Sequence, residues 1–218
     1  MALTLYAHPF SSYSMKVLLA LRESATRFDY RSFADDPGAW AECQALWPFG
    51  RFPVLVDEGK VVAESSVIIE HLDLHHPGPV RLVPADPVAA LEVRFLDRFF
   101  DNHVQTPMQA PVFETRRGDA ARVEMVWAES RAALDRAYAW LEGRMAGREW
   151  ACGDGFTMAD CAAAPALFYA DWIQPIADAF PNVRAYRARL LARPAMAQLI
   201  EEARPFRPLF PLGAPDRD

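Results

Sequence analysis

The feature that most narrows the choice of fold is a change of hydrophobic period part-way along the chain. Up to about residue 78, apolar residues recur now with the period of a strand and now with that of a helix; beyond residue 87 only the helical period remains. Leu3-Thr4-Leu5-Tyr6-Ala7 reads as a short buried strand. His8-Pro9-Phe10-Ser11 breaks it, and Val17, Leu18 and Leu21 set a helical stripe. Phe28 to Phe33 alternates with period two, which predicts a second strand, and after the looser Asp35-Asp36-Pro37 a short helix is expected around Trp40 to Leu46. Pro53-Val54-Leu55-Val56 and Val61-Val62-Ala63 flank Asp57-Glu58-Gly59-Lys60, a hairpin whose glycine meets the need for positive φ. Glu64 to His75 then carries Val67, Ile68 and Leu72 at helical spacing. The predicted order is β-α-β-α-β-β-α with a mixed sheet.

Pro77-Gly78-Pro79 and Pro84-Ala85-Asp86-Pro87 interrupt the chain after this unit. They divide it into an α/β unit at residues 1–78, a linker at 79–86 and an all-helical bundle at 87–218. In the bundle, Val88, Leu91, Phe95 and Phe99 make one stripe, and Leu96, Phe100 and Val104 a second, as in a helix packed on two sides. Val123, Trp127, Leu134, Tyr138, Leu141 and Met145 mark a long amphipathic helix. Phe156 to Ala170 is apolar nearly all round and reads as the buried central helix; Val183, Tyr186 and Leu190 stripe another, and Pro194 starts the last clear one.

Composition removes several classes of function. A formal net charge of −6 disfavours nucleic acid as a partner, because phosphate binding needs a clustered basic surface. Cys43, Cys152 and Cys161 are odd in number and lack metal-ligand or C-x-x-C spacing, which suits a reducing compartment. The stretch from Met1 to Tyr6 has no basic run ahead of an apolar one, so a signal peptide is not expected, and no apolar run approaches membrane-spanning length. A cytoplasmic setting, with neither nucleic acid nor membrane as partner, is the expectation. His71, His75 and His76 stand near a helix end where cations suit the dipole, and their spacing pairs with no cysteine or second ligand set. No metal site is expected there.

Four stretches in order carry a resemblance: HPFSSYSMKV from His8, ALWPFGRFPVL from Ala45, AESS from Ala63 and GDGFTMAD from Gly153. Together they resemble the cytosolic glutathione transferases, bacterial and of the serine type, with an N-terminal motif similar to the phi and zeta classes. The likeness covers all but the C-terminal end. It implies a thioredoxin-like glutathione-binding domain followed by an all-helical domain that shapes a second, apolar substrate site. The activity implied is transfer of glutathione, as a thiolate, to a small apolar electrophile, of the kind used in detoxification.

The resemblance places the thiol-activating hydroxyl at Ser11, where the first strand turns into the first helix. A cysteine thiol with a pKa near 8.5 is only a few per cent thiolate near neutral pH. A hydroxyl donating to sulfur, with free N–H groups at a helix start, favours the anion. Plain helix capping explains a serine here equally, and Ser12 and Ser14 stay open as alternates, since S-S-x-S resembles the zeta pattern. For glutathione itself the family uses the backbone of Phe52 before a cis Pro53, the Ser65 hydroxyl and N–H for the γ-glutamyl carboxylate, and Glu64 towards its amino group. The bland readings are a strand start at Pro53 and an ordinary cap at Ser65 or Ser66. Arg51 stands where many relatives have Lys or Gln near the glycyl end, and reads equally as an ordinary surface arginine. Residues 34–45 hold no Lys, Arg or His, although many relatives supply a base there; Trp40 or Trp47 offers an indole N–H instead, or serves as core.

For the electrophile, the candidates are Phe10, His103, Met108, Tyr169 and Trp172, with Phe206 and Phe210 from the C-terminus. His103 reads also as a plain buried histidine. Thr157 and Asp160 read as a capping box at the central helix, hence structural. The resemblance further implies a homodimer in which Phe49, four residues before Pro53, inserts between helices of the partner. Two rivals share the fold: a zeta-like glutathione-dependent isomerase or lyase, and a non-catalytic partner-binding protein. A glutaredoxin-like reductase is disfavoured, because neither Ser11 nor Ser14 is cysteine.

Overall fold

A computed structural model of the chain describes residues 3–218; Met1 and Ala2, which open the stretch considered for a signal peptide, lie outside the described residues. Strand β1 (Leu3–Ala7) pairs in parallel with β2 (Asp29–Ser32) and antiparallel with β3 (Val54–Asp57), which pairs antiparallel with β4 (Lys60–Ala63). The sheet order is β2-β1-β3-β4. A parallel pair needs a crossover, supplied by α1 (Ser12–Glu23); α2 (Pro37–Leu46) links β2 to β3, and α3 (Ser65–His75) follows β4. The hairpin turn has positive φ at both Glu58 (50°) and Gly59 (85°), the primed geometry that matches strand twist. The mixed β-α-β-α-β-β-α unit predicted from periodicity is present.

Strand register decides where the loops go. Tyr6 stands opposite Val54, and Val54 opposite Ala63. The end of β1, the start of β3 and the end of β4 therefore share one edge of the sheet. His8–Ser11, Phe52–Pro53 and Glu64–Ser65 all emerge at that edge.

The second half is helical: α4 (Pro87–Phe99), a π-helical segment (Phe100–Gln105), α5 (Thr106–Arg117), α6 (Ala120–Arg144), α7 (Met158–Ile173), α8 (Pro181–Ala192), α9 (Pro194–Ala203) and a 3₁₀ turn (Arg204–Leu209). Periodicity alone carries one helix through to Val104; the change of pitch at Phe100 and the separate α5 beyond it leave no signal at that level. Two-sided packing of α4 is only half realised. Leu96, Phe100 and Val104 are fully buried and Phe99 nearly so, but Val88, Leu91 and Phe95 are 76%, 66% and 54% exposed. That stripe faces outwards from the chain, next to Trp140 of α6, which lies tilted over Phe99 and meets Phe95 edge-on.

One apolar core runs through both halves. It joins Leu5 of β1, Met15, Leu18 and Leu19 of α1 and Ile68 of α3 to Phe100, Leu134 of α6 and Phe168 of α7. Each such fully buried side chain is worth about 1.5–3 kcal/mol relative to exposure. At Gly78 the chain crosses the end of α1 so closely that a Cβ would lie 2.0 Å from the Ser24 carbonyl oxygen; only glycine fits. The start of α7 is held by the fully buried Asp160, whose carboxylate accepts from the Thr157 N–H (2.8 Å) and hydroxyl (3.0 Å), the Ala151 N–H (2.9 Å) and the Tyr186 hydroxyl (2.6 Å).

A buried ionic knot adds a polar tie. Lys16 of α1 is 1% exposed and donates to Asp101 Oδ2 and Ser66 Oγ, both at 2.9 Å, and its Nζ lies 2.6 Å from Asp97 Oδ1. Arg98 closes the set from outside, on Asp97 (2.8 Å) and Asp101 (2.5 Å). Burial pushes the Asp97 carboxyl up, but Lys16, Ser66 and Arg98 outweigh it and hold Asp97 below the usual range. Asp101 is held above it, because burial and the Asp97 charge prevail there over Lys16.

Candidate functional site

The three serines at the head of α1 receive different surroundings. Ser11 is the N-cap, with extended backbone (φ −88°, ψ 126°), and its Oγ accepts from the Ser14 N–H at 3.3 Å. It is half-buried, and its own hydroxyl proton is uncommitted among the described residues. Ser12 is 5% exposed and its Oγ accepts from Gln105 Nε2 at 2.6 Å, with Gln109 Nε2 at 3.5 Å. Ser14 is fully buried and its Oγ accepts from the His8 N–H at 3.3 Å. The N–H groups of Ser12 and Tyr13 have no acceptor within the helix, and the first turn of α1 holds no acid. An anion at Ser11 therefore meets a hydroxyl, free N–H donors and the positive end of a helix.

The other two loops on this edge bring Phe52, Pro53, Glu64 and Ser65. The Phe52–Pro53 peptide is cis. Glu64 has φ 69°, a conformation that costs a non-glycine residue about 1–3 kcal/mol and that clusters at ligand sites. Its side chain does not cap α3. Ser65 is buried with its hydroxyl unpaired among the described residues, while the Ser66 hydroxyl is taken up by Lys16, Asp97 and Arg98. The start of α3 thus has no side-chain cap, and its first N–H groups are available to a carboxylate.

No motif singles out Tyr13. Burial, reinforced by Asp101, pushes its hydroxyl up to about 12, and it senses the charges of Arg98, Glu64 and Arg51. It is a neutral donor where the charged groups of this edge meet; Arg51 itself is exposed. His8 also lies here: its Nδ1 accepts from the Phe10 N–H (3.1 Å), its ring meets Phe206 edge-on at 5.0 Å, and burial pulls its pKa down. In place of the base lacking from residues 34–45 stands an aromatic trio. Phe33, Trp40 and Phe52 contact one another edge-to-face at 5.2–5.8 Å, and Trp47 packs on Phe49 at 4.8 Å.

The apolar candidates separate into two places. Phe10 packs against Tyr169 (5.5 Å) and Trp172 (6.2 Å), Tyr169 donates to the Phe10 carbonyl (2.9 Å), and Phe210 meets Trp172 at 5.2 Å. Met108 is buried in the main core. His103 is not with them. It is exposed, stacks on Phe99 and lines a groove of about 560 Å³ with Phe95, Asn102 and Trp140. Its i, i+4 relation to Phe99 puts it on the outward stripe of the helix, which the change to π pitch obscures.

Comparison with known proteins fits this arrangement. Residues 5–80 match the glutathione S-transferase N-terminal domain, and residues 124–189 the C-terminal domain of the same family. A stringent starvation protein A homolog of Coxiella burnetii is 30% identical over 76% of this chain and 75% of its own. The chain belongs to the glutathione S-transferase family. Among other members, a maleylacetoacetate isomerase of Pseudomonas aeruginosa is 29% identical over 91% of this chain and 94% of its own. A glutathione S-transferase from Methylobacillus flagellatus, solved with glutathione bound, superposes with a TM-score of 0.77 at 25% identity, covering 91% of this chain and 98% of that one. Among the described residues, no helix is long and apolar enough to cross a membrane.

Proposed function

We propose that this transferase-family chain binds glutathione at the shared sheet edge and activates it as a thiolate for attack on a small apolar electrophile. One observation carries the reading: at that edge, Ser11 is the half-exposed one of the three candidate serines, Ser12 and Ser14 being buried, and it stands beside an N-terminal turn with free donors. Ser65 and the uncapped start of α3 take the γ-glutamyl carboxylate, Glu64 the amino group, the Phe52 backbone the cysteinyl unit and Arg51 the glycyl end. The electrophile lies over Phe10, Tyr169 and Trp172, under the C-terminal Phe206 and Phe210.

Glutathione should raise the melting temperature with saturation, as any ligand specific to the folded state does. Ser65→Ala should weaken binding about 10- to 150-fold, since a hydrogen bond to a charged group is worth roughly 1.5–3 kcal/mol. A melting temperature indifferent to millimolar glutathione would remove the proposal. The S-S-x-S run and the isomerase relative support a second reading, glutathione-dependent cis–trans isomerisation of maleylacetoacetate, by the same thiolate. Turnover of that substrate, set against conjugation of a chloronitroarene, separates the two.

We further propose a two-fold dimer, the commonest symmetry of soluble oligomers. Phe49 is 71% exposed, and Val88, Leu91 and Phe95 form a continuous outward apolar stripe. Phe49→Ala should shift sedimentation towards monomer by about 2 kcal/mol or more of association free energy. A variant that sediments as the wild type would leave Phe49 packing only on Trp47.

A further inference from the structure

We propose that Asp57, His71 and His76 form a binding site for one divalent transition-metal ion of the zinc class, remote from the glutathione site. Asp57 Oδ2 lies 2.8 Å from His71 Nε2 and 2.7 Å from His76 Nε2, and the three donor atoms all fall within 4.8 Å of one another. They come from two elements. Asp57 ends β3, His71 lies on α3, and His76 is the residue that closes that helix. The histidine spacing alone, five residues on a helix end, points to no ligand set; the missing member comes from the hairpin folded against it.

Two imidazoles and one carboxylate are the donor set that suits zinc, whereas magnesium and calcium require more oxygens. Ligand distances of about 2.0–2.2 Å around a tetrahedral ion keep neighbouring donors about 3.3 Å apart. The cluster needs to open by roughly half an ångström to take one. Without an ion, both histidines spend an Nε2–H on the same carboxylate oxygen. With the ion in place each Nε2 becomes a lone-pair donor and each ring proton sits on Nδ1, so neutral histidines lose no proton overall.

The His76 side chain is 32% exposed while those of His71 and Asp57 are 9% and 13% exposed, so entry is from the His76 side. The fourth position falls to water or to His75, whose ring centre is 4.4 Å from that of His71. Lys60, paired with Asp57 in the hairpin, is the opposing charge, and it is exposed and free to swing away. Ser65 lies at the other end of α3, six residues before His71 and eleven before His76, about 9 and 16 Å away by helix rise. The ion would pin the end of α3 to β3 just before Gly78 crosses α1.

The test uses untagged full-length protein without glutathione, so that its outcome is independent of the thiol site. Zinc chloride is titrated by calorimetry and thermal unfolding, and cobalt(II) by absorption. The expected result is one zinc ion per chain, a rise in melting temperature, and a cobalt spectrum without thiolate charge transfer. His76→Gln and His71→Gln should each weaken binding by about 100-fold, the upper end of what loss of a mere supporting contact costs, while His103→Gln binds as the wild type. His76 is partly exposed at a helix end, so its variant keeps the test open if the His71 variant fails to fold. The proposal is overturned by absence of zinc-dependent stabilisation at millimolar zinc, by equal stabilisation from magnesium, by a thiolate band, or by binding that survives both substitutions.

Discussion

Replacing Lys16 by methionine should destabilise the fold by about 3–5 kcal/mol, the cost of leaving buried charge without its partner. Asp97 and Asp101 are nearly as buried as Lys16, and Arg98 reaches them only from the solvent side, with its side chain 52% exposed. A whole fold is typically stable by only 5–15 kcal/mol, so the variant would lose a large share of its margin. The penalty should depend on pH in a defined sense. Asp97 is held below its ordinary range, so its contribution is present at neutral pH and is lost as pH falls through its folded pKa. Without Lys16 that carboxyl protonates more readily, and a neutral acid needs no counter-ion. Urea unfolding should therefore show the largest gap between variant and wild type near neutral pH, and a smaller one towards about pH 4. Adding Asp97→Asn to Lys16→Met should recover part of the loss at neutral pH. A gap that is constant across pH would mean that Lys16 acts through packing of its stem.

Ser11→Ala is expected to lower the conjugation rate at neutral pH by about 10- to 100-fold, given the proposed role of its hydroxyl as donor to the glutathione sulfur. The free thiol titrates near 8.5, and each unit by which the site depresses that value is tenfold in favour of the anion. A group with depressed pKa is reactive above that pKa and silent below it, so loss of the donor moves the rise in rate to higher pH. Activity of the variant should recover at alkaline pH, and thiolate ultraviolet absorbance of the bound state should shift in parallel. An unchanged profile would shift attention to Tyr13, a neutral donor on the same edge. Loss of activity at every pH, with unshifted thiolate absorbance, would mean that Ser11 serves α1 only as its cap.

How far the sequence reaches can be judged from particular residues. The α/β unit is legible because its periods are short and its punctuation strong: Pro53, Gly59 and the serines at 65 and 66 mark ends that hydrogen bonding then enforces. Less is legible after Phe100, where a π segment and α5 replace a single straight helix, because pitch is set by how neighbouring helices pack and not by local propensity. For this reason sequence alone does not show that His103 stacks on Phe99 beside Trp140. The stripe of Val88, Leu91 and Phe95 reads as core because an apolar stripe has the same spacing whether its cover is the same chain or another molecule. Tyr13, His8 and the aromatic trio of Phe33, Trp40 and Phe52 have no motif to mark them. Their surroundings come from loops that only the sheet register brings together. Asp57 is the same case, a hairpin residue whose partners lie on a helix.

The apolar core that crosses from α1 to α7 bears on how members of this family can be recombined. An α/β half cut away near Gly78 would bare the face of α1 that packs against α7, and each buried apolar side chain uncovered there would meet water at about 1.5–3 kcal/mol. Grafting a foreign helical half, to change which electrophile is accepted, would set the same side chains against a surface they were not shaped for. Chimeras joined at the linker should thus succeed or fail according to how closely the donor's central helix reproduces the contour that α1 meets here. If the electrophile lies where proposed above, substrate range should be more readily moved by exchanging single residues such as Phe10 or Phe210 than by exchanging halves.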